Sequence, residues 1–481
     1  MYLGIDVGTS SVKAVLIDDA QRIVATETAG LDVSRSHPGW SEQDPADWWQ
    51  ACAAVLDRLA AAGMLAAVKG IGLSGQMHGA TLLDAADRVL RPCILWNDGR
   101  SVREAADLDE ASQRITGNLA MPGFTAPKLL WVKRNEPEIF AQIKTVLLPK
   151  DYVRLRLTGD KASDMSDSAG TLWLETGKRD WSDEMLALTD LDRTAMPRLF
   201  EGSAATGTVR AEVAARWGMS RDVAVAAGGG DNAASGCGVG AVTPGSGFIS
   251  IGTSGVIFVT ANRYEPNPAG AVHTFCHAVP VTWHQMGVML SAAGSLDWLA
   301  RLLSATAGDL VDELGDEPEG PSSIRFLPYL SGERTPYNDV AVRGAFAGLD
   351  QGHTRRDLTQ AVIEGVAFAF KDCFDVLTAP LKSPQRLIAT GGGSRSRYWL
   401  LVIATVLDLP IAVPIAGDLG AAFGAARLGL AAATGADPIE VCAPPAISET
   451  IEPVAALRDA YASARAVYRK LYPSIKEAMQ P

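Results

Sequence analysis

The chain has 481 residues, of which 47% are hydrophobic and 20% charged, and its formal net charge is −12. That length exceeds what one core usually supports, so two or more domains are expected. The acidic balance and the lack of a basic run argue against nucleic acid or an anionic membrane as partner, while local amides and a metal ion keep phosphate chemistry open.

The first residues, MYLGIDVGTS, carry Asp6 and no basic segment, unlike a signal peptide. YLGI, a turn in DVGTS and VKAVLID read as a hairpin. VKGIGLSGQMHGATLLD (68–84) reads as a strand, a Gly-rich loop and a second strand, and VLRPCILWNDGRS (89–101) as an apolar run ending in polar residues. In VAVAAGGGDNAASG (223–236) three glycines precede Asp231, which on this stretch alone reads as the cap of the following helix. The longest uncharged stretch, Asn232 to Asn262, is broken by Gly, Ser, Thr, Asn and Pro244, which rejects a transmembrane helix.

ISIGTSGVIFVT (249–260) then repeats IDVGTSSVKAVL (5–16) without gaps, about half a chain later. Ile5, Gly8, Thr9, Ser10, Val12 and Val15 match Ile249, Gly252, Thr253, Ser254, Val256 and Val259. The chain therefore reads as a duplication, with a Gly-Thr-Ser hairpin from each lobe lining a cleft. The second copy has Ser250 where the first has Asp6, which marks Asp6 as a chemical rather than a scaffold requirement.

AVHTFCHAV reads as a strand in which His273 and His277 lie ~13 Å apart, too far for one metal ion. GDLVDELGDEPEGPSS (308–323) reads as an acidic surface loop. RLIATGGGSRSRYWLLVIATVLDLPIAV (386–413) reads as strand, triple-glycine loop, amphipathic helix and strand, and GDLGAAFGAARLGLAAATG (417–435) as a helix of small residues able to pack closely. Leu457, Tyr461, Ala464, Tyr468 and Leu471 recur at helical steps, a peripheral amphipathic helix ended or kinked near Pro473. The six cysteines form no CxxC pair, as expected for reduced thiols in the cytoplasm.

Two Gly-Thr-Ser turns offer amides and hydroxyls to phosphate oxygens, so Thr9, Ser10, Gly252 and Thr253 are candidate phosphate contacts. A carboxylate among apolar strand neighbours is costly unless partnered, which makes Asp6 the candidate to hold a hydrated Mg2+, directly or through water. Gly391, Gly392, Gly393 and Ser394 do not form a GxGxxG fingerprint, yet such a loop allows close approach of a nucleotide base and ribose.

Together, IDVGTSSVKA, AAGGGDNAA, SIGTSG, LSGERTP and ATGGGSRS resemble, in the same order, the motifs of the FGGY family of carbohydrate kinases, in the actin, sugar-kinase and heat-shock ATPase superfamily. GFTAPKLLWVKRN (123–135) and GAFAGLDQGHTRRDLTQAVIE (344–364) are similar to its two signatures. The resemblance spans nearly the whole chain. It implies an α/β fold of two duplicated actin-like, ribonuclease H-like ATPase lobes flanking a central cleft. Residues 1–245 would form the sugar and phosphate side, and residues 246–481 the nucleotide side with a peripheral C-terminal helix.

The resemblance also implies sugar phosphorylation with ATP and Mg2+. SGQMHG (74–79), LWNDGR (95–100) and GGGDNAA (228–234) are most similar to members that phosphorylate D-xylulose at O5 in pentose catabolism, feeding the pentose phosphate pathway. The alternatives are another ketose or polyol (ribulose, gluconate, glycerol) or a non-kinase ATPase of the actin or heat-shock type. The implied roles are Asp231 as general base, Asp6 in support of Mg-ATP, and Met77 and His78 against the sugar. Gln76, Trp96, Asn97 and Asn232 would complete the sugar pocket. The glycines before Asp231 are then expected to leave room for sugar and γ-phosphate. Sugar and ATP are the expected partners, without nucleic acid or membrane; a homodimer is left open.

Overall fold

The structure is a computed structural model that describes residues 1–381, 383–415 and 419–479. Gly417 and Asp418, at the start of the small-residue helix expected over 417–435, lie outside the described residues.

Two seven-stranded sheets organise the molecule. The first comprises β1 (Tyr2–Val7), β2 (Ser11–Ile17), β3 (Ile23–Gly30), β4 (Gly70–Gly75), β5 (Ala205–Thr208), β6 (Ala224–Ala226) and the short β7 (Gly229–Gly230). The second comprises β8 (Gly247–Ile251), β9 (Gly255–Ala261), β10 (His273–Cys276), β11 (Trp283–Met289), β12 (Leu387–Thr390), β13 (Ile411–Pro414) and β14 (Ile447–Ile451).

The repeated motif marks a repeated topology. The first sheet runs β5-β6-β4-β1-β2-β3, with β7 beside β4, and the second runs β10-β11-β9-β8-β12-β13-β14. From the hairpin outward, β3-β2-β1-β4-β6-β5 and β11-β9-β8-β12-β13-β14 share one sequence of pairings: antiparallel, antiparallel, parallel, parallel, antiparallel. β1 and β4 are apolar runs buried on both faces, as parallel strands covered by helices must be.

The helices that matter for the site are α1 (Pro149–Thr158), α2 (Met165–Ala169), α3 (Asp231–Val239), α4 (Arg355–Thr378), α5 (Arg397–Leu407), α6 (Ala421–Thr434) and α7 (Arg458–Ala478). α6 comes from the second half of the sequence but packs on β1, β4 and α3. Its approach depends on glycine. A Cβ on Gly72 would lie 1.8 Å from the Ala425 carbonyl oxygen, and one on Gly4 would lie 1.9 Å from that of Ala422. A Cβ on Gly424 would lie 1.7 Å from the carbonyl oxygen of Ala234 in α3. Tyr2, Phe248, Phe258, Phe423 and Leu428 belong to the resulting shared core.

Three local expectations change. α5 is buried from Tyr398 to Leu407 rather than two-faced, because α4, α7 and β14 all pack on it. α7 continues through Pro473 to Ala478; the proline is exposed, so water can reach the carbonyl that its missing N–H leaves free. The 308–323 segment opens inside a short helix, Ala307–Asp312, started by a reciprocal Thr306–Asp309 cap. His273 and His277 are both buried, with His277 just beyond the end of β10. No helix among the described residues is long and apolar enough to cross a membrane.

Candidate active site

The turn carrying Asp231 is pressed against β4. β7 pairs in parallel with Ser74 and Gly75, and Gly230 is the N-cap of α3, so Asp231 is the first helical residue rather than the cap. Asp231 Oδ1 accepts from the Asn232 backbone N–H at 2.7 Å and from its side-chain amide at 2.9 Å. Contrary to the expectation from sequence, the three glycines do not clear space for sugar and γ-phosphate; protein atoms fill it. A Cβ on Gly228 (φ +84°) would lie 2.0 Å from the Leu73 carbonyl oxygen, and one on Gly230 would lie 2.9 Å from Met77 Sδ.

Two neighbouring carboxylates here have altered proton affinity. Burial pushes Asp231 up to about 7; the charge of Asp6 adds to this, and the two Asn232 donors oppose it. Burial also pushes Asp6 up to about 6, against the lowering by Ser74 and Lys13. Asp6 Oδ1 is enclosed and accepts no hydrogen bond from the described residues. That orphaned oxygen fits a hydrated divalent cation. Among the described residues no group of three or more His, Cys, Asp or Glu could hold a metal ion.

His78 holds a left-handed backbone, φ +72°, that its surroundings fix. Its carbonyl accepts from Thr125 Oγ1 at 3.0 Å and Lys128 Nζ at 2.9 Å, and its ring stacks on Phe124 at 4.4 Å. Nδ1 lies 2.7 Å from the Gly170 carbonyl, which can only accept, so Nδ1 carries the proton. Burial depresses the imidazole to about 3 and keeps it neutral, which leaves Nε2 as an acceptor for a hydroxyl. Met77 is buried between this segment and Gly230.

Gln76 binds protein. Its amide oxygen accepts from Thr9 Oγ1 at 2.9 Å, and its amide nitrogen donates to Gln43 Oε1 at 2.8 Å. Gln43 in turn donates to the Thr9 carbonyl at 2.7 Å, and the Trp96 indole donates to Thr9 Oγ1 at 3.0 Å. The first hairpin turn is thus tied to the segment expected on the sugar side. Asn97 is exposed and lines a separate shallow cavity of about 430 Å³ with His37 and Trp40.

Two larger cavities flank the triple-glycine loop. One, of about 780 Å³, is bounded by Asn232, Ser250, Thr390, Gly391, Ser394 and Arg395. The other, of about 680 Å³, is bounded by Gly252, Thr253, Leu296, Val311, Gly393 and Trp399. Gly392 and Arg395 line both. The structure therefore brings Gly252, Thr253 and the triple-glycine loop together, and places Asn232 on the same side. Thr9 and Ser10 line neither cavity; Ser10 is exposed and accepts from the Leu31 N–H through its carbonyl.

Several neighbours escaped the sequence reading. Leu296, Val311 and Trp399 are ordinary apolar residues in sequence, and only the fold gathers them. Arg334 of the SGERTP segment is close enough for its charge to lower His78 and His273 further. A buried ionic group behind Asp231, centred on Lys150, comes from PKDYVRLRLTG and SDMSDSAG, whose charges read in sequence as ordinary surface residues.

Residues 1–238 match the N-terminal domain of the FGGY family of carbohydrate kinases, and residues 247–433 match its C-terminal domain. The chain is 50% identical over 484 residues to the xylulose kinase of Escherichia coli (strain K12), covering 100% of both chains. A crystal structure of a xyloylose kinase from Brucella ovis superposes with a TM-score of 0.97 at 60% identity, covering 99% of each chain. That of a xylulose kinase from Rhodospirillum rubrum gives 0.91 at 32% identity, again with 99% of each chain covered. With two seven-stranded sheets of matching topology, both halves of the domain pair and full-length relatives, the chain belongs to the FGGY family of carbohydrate kinases.

Proposed function

We propose that the chain transfers the γ-phosphoryl group of ATP to O5 of D-xylulose, giving D-xylulose 5-phosphate and ADP, with Asp231 as general base. The observation that carries this is the Asp231 carboxyl itself: it stands at the first turn of α3, pushed up to about 7, beside a cavity of nucleotide size. A base poised near neutral pH can exist as carboxylate and still hold a proton once it has taken one. As the O5–phosphorus bond forms and the bond to the ADP oxygen breaks, Asp231 accepts the hydroxyl proton.

The other residues position and neutralise. The neutral His78 offers Nε2 to a sugar hydroxyl, with Met77 packed beneath the Asp231 turn. Leu296 and Val311 give apolar walls to a base, and Gly252, Thr253 and Gly393 allow its phosphates to pass close to backbone. Asn232, Ser250 and Arg395 line the path toward Asp231. Asp6 would hold Mg2+, which when bound offsets phosphate charge. Full-length relatives that carry the xylulose kinase name support the choice of sugar.

The test is ADP release across pentuloses, polyols and aldonates. The proposal expects D-xylulose to give the highest kcat/KM. A clear preference for ribulose, gluconate or glycerol overturns the sugar, and ADP release that no sugar stimulates overturns the transfer reaction as well.

A further inference from the structure

Behind the Asp231 turn lies a group of ionic side chains closed off from solvent. Lys150 of α1 is 0% exposed, and its Nζ lies 2.6 Å from Asp151 Oδ1, 2.8 Å from Asp164 Oδ1 and 3.4 Å from Asp167 Oδ2. All three aspartates and Arg154 are buried as well. Taking such charges out of water costs several kcal/mol per ion, and a well-packed apolar set often serves stability equally well. Stability alone therefore does not account for the group.

Its connection to Asp231 does. Asp164 Oδ2 accepts from the Ser166 N–H at 2.7 Å, from the Asp167 N–H at 3.2 Å and from the Ser166 hydroxyl. With its proton directed at Asp164, Ser166 Oγ is left as an acceptor, and it takes the Gly230 N–H at 3.1 Å. Gly230 immediately precedes Asp231 and caps α3. Burial pushes Asp167 well above the ordinary carboxylate range, against the Lys150 charge.

We propose that Ser166, oriented by Asp164 and Lys150, is a positioning residue for phosphoryl transfer: by holding the Gly230 amide it sets the direction in which Asp231 presents its carboxylate. The hold adds to the β4 pairing of the same turn and acts on the amide next to Asp231. Small misplacements of a reacting group can cost about 100-fold in rate. The proposal rests on the reading of Asp231 as the base.

Ser166→Ala removes the acceptor without adding bulk. It is expected to lower kcat about 10- to 100-fold, with both KM values within about twofold of the parent. Ser166→Thr, which keeps the hydroxyl, is expected to recover most of that loss. A Ser166→Ala kcat within twofold of the parent, or a loss that appears in KM, overturns the proposal. Should that variant fail to fold, Ser166→Cys, close in size and with only a weak sulfur acceptor, carries the same expectation and the same refutation. Asp231→Asn is measured alongside. If it turns over normally, the base assignment fails; if it is inactive while Ser166→Ala is normal, only the positioning role fails.

Discussion

Asp6 and Ser250 occupy equivalent positions of the two hairpins: Asp6 is in register with Ser74 across β1 and β4, and Ser250 with Thr390 across β8 and β12. The duplicated scaffold thus keeps its geometry and changes its charge. One copy supplies an acid whose charge raises Asp231; the other supplies a neutral hydroxyl to the wall of the 780 Å³ cavity. A carboxylate at the second position would face the nucleotide phosphates. Ser250→Asp is therefore expected to raise the KM for ATP by about 10- to 100-fold, with the sugar KM little changed. Steady-state kinetics with each substrate varied decides this, and an unchanged ATP KM would contradict it.

The pH profile follows from Asp231. A base pushed up to about 7 must be deprotonated to act, so kcat/KM is expected to rise about tenfold per pH unit between about 6 and 7, more steeply below about 6 where Asp6 is protonated as well, and to level off above 7. His78, held near 3, adds no limb in that range. A kcat/KM profile flat from about pH 5 to 9 would count against Asp231 as the base.

Stability should move the opposite way. Asp231 binds its proton more tightly folded than unfolded, so its contribution is present below the ordinary carboxylate pKa of about 4 and is lost as pH rises toward about 7. Asp231→Asn keeps an acceptor for Asn232 and removes this penalty. It is expected to stabilise the protein at pH 8 by on the order of 2 kcal/mol, and by little at pH 4. Thermal unfolding at the two pH values checks the difference; equal effects would refute it.

Two glycine substitutions separate folding from binding. Gly72→Ala drives a methyl into the Ala425 carbonyl and should destabilise by about 3 kcal/mol or more. A Cβ on Gly392 meets nothing within 4 Å, and the residue lines both cavities. Gly392→Ala should keep its Tm and raise the KM for ATP several-fold. The reverse pattern would displace the nucleotide from this loop.

Loss of Gln76 should be felt at the phosphate turn. Gln76→Ala leaves the Thr9 hydroxyl and Gln43 short of partners in a buried network, a cost of about 1–3 kcal/mol. Because Trp96 hangs on the same hydroxyl, KM for sugar and ATP should rise together. A change confined to one substrate would break the proposed link.

What the sequence revealed follows from how locally each feature is encoded. Both hairpins, the duplication and the triple-glycine loop come from short runs of strand-forming residues punctuated by glycine. The crossing of α6 onto the first sheet is a long-range event. Its trace was the placement of Gly4, Gly70 and Gly72 against Ala422, Ala425 and Gly429, which becomes meaningful only when strand and helix meet. The role of Gly228 to Gly230 is hidden in sequence for the same reason: the atoms they accommodate belong to Leu73, Ala278 and Met77, remote along the chain. Likewise, Ser166 lies 64 residues from the amide it accepts.

The most direct test of the account is turnover by Asp231→Asn with saturating ATP and D-xylulose, alongside a calorimetric measurement of MgATP binding. The account predicts a kcat lowered by at least about 10²- to 10⁴-fold with MgATP affinity retained. Near-normal sugar phosphorylation in that variant would contradict it.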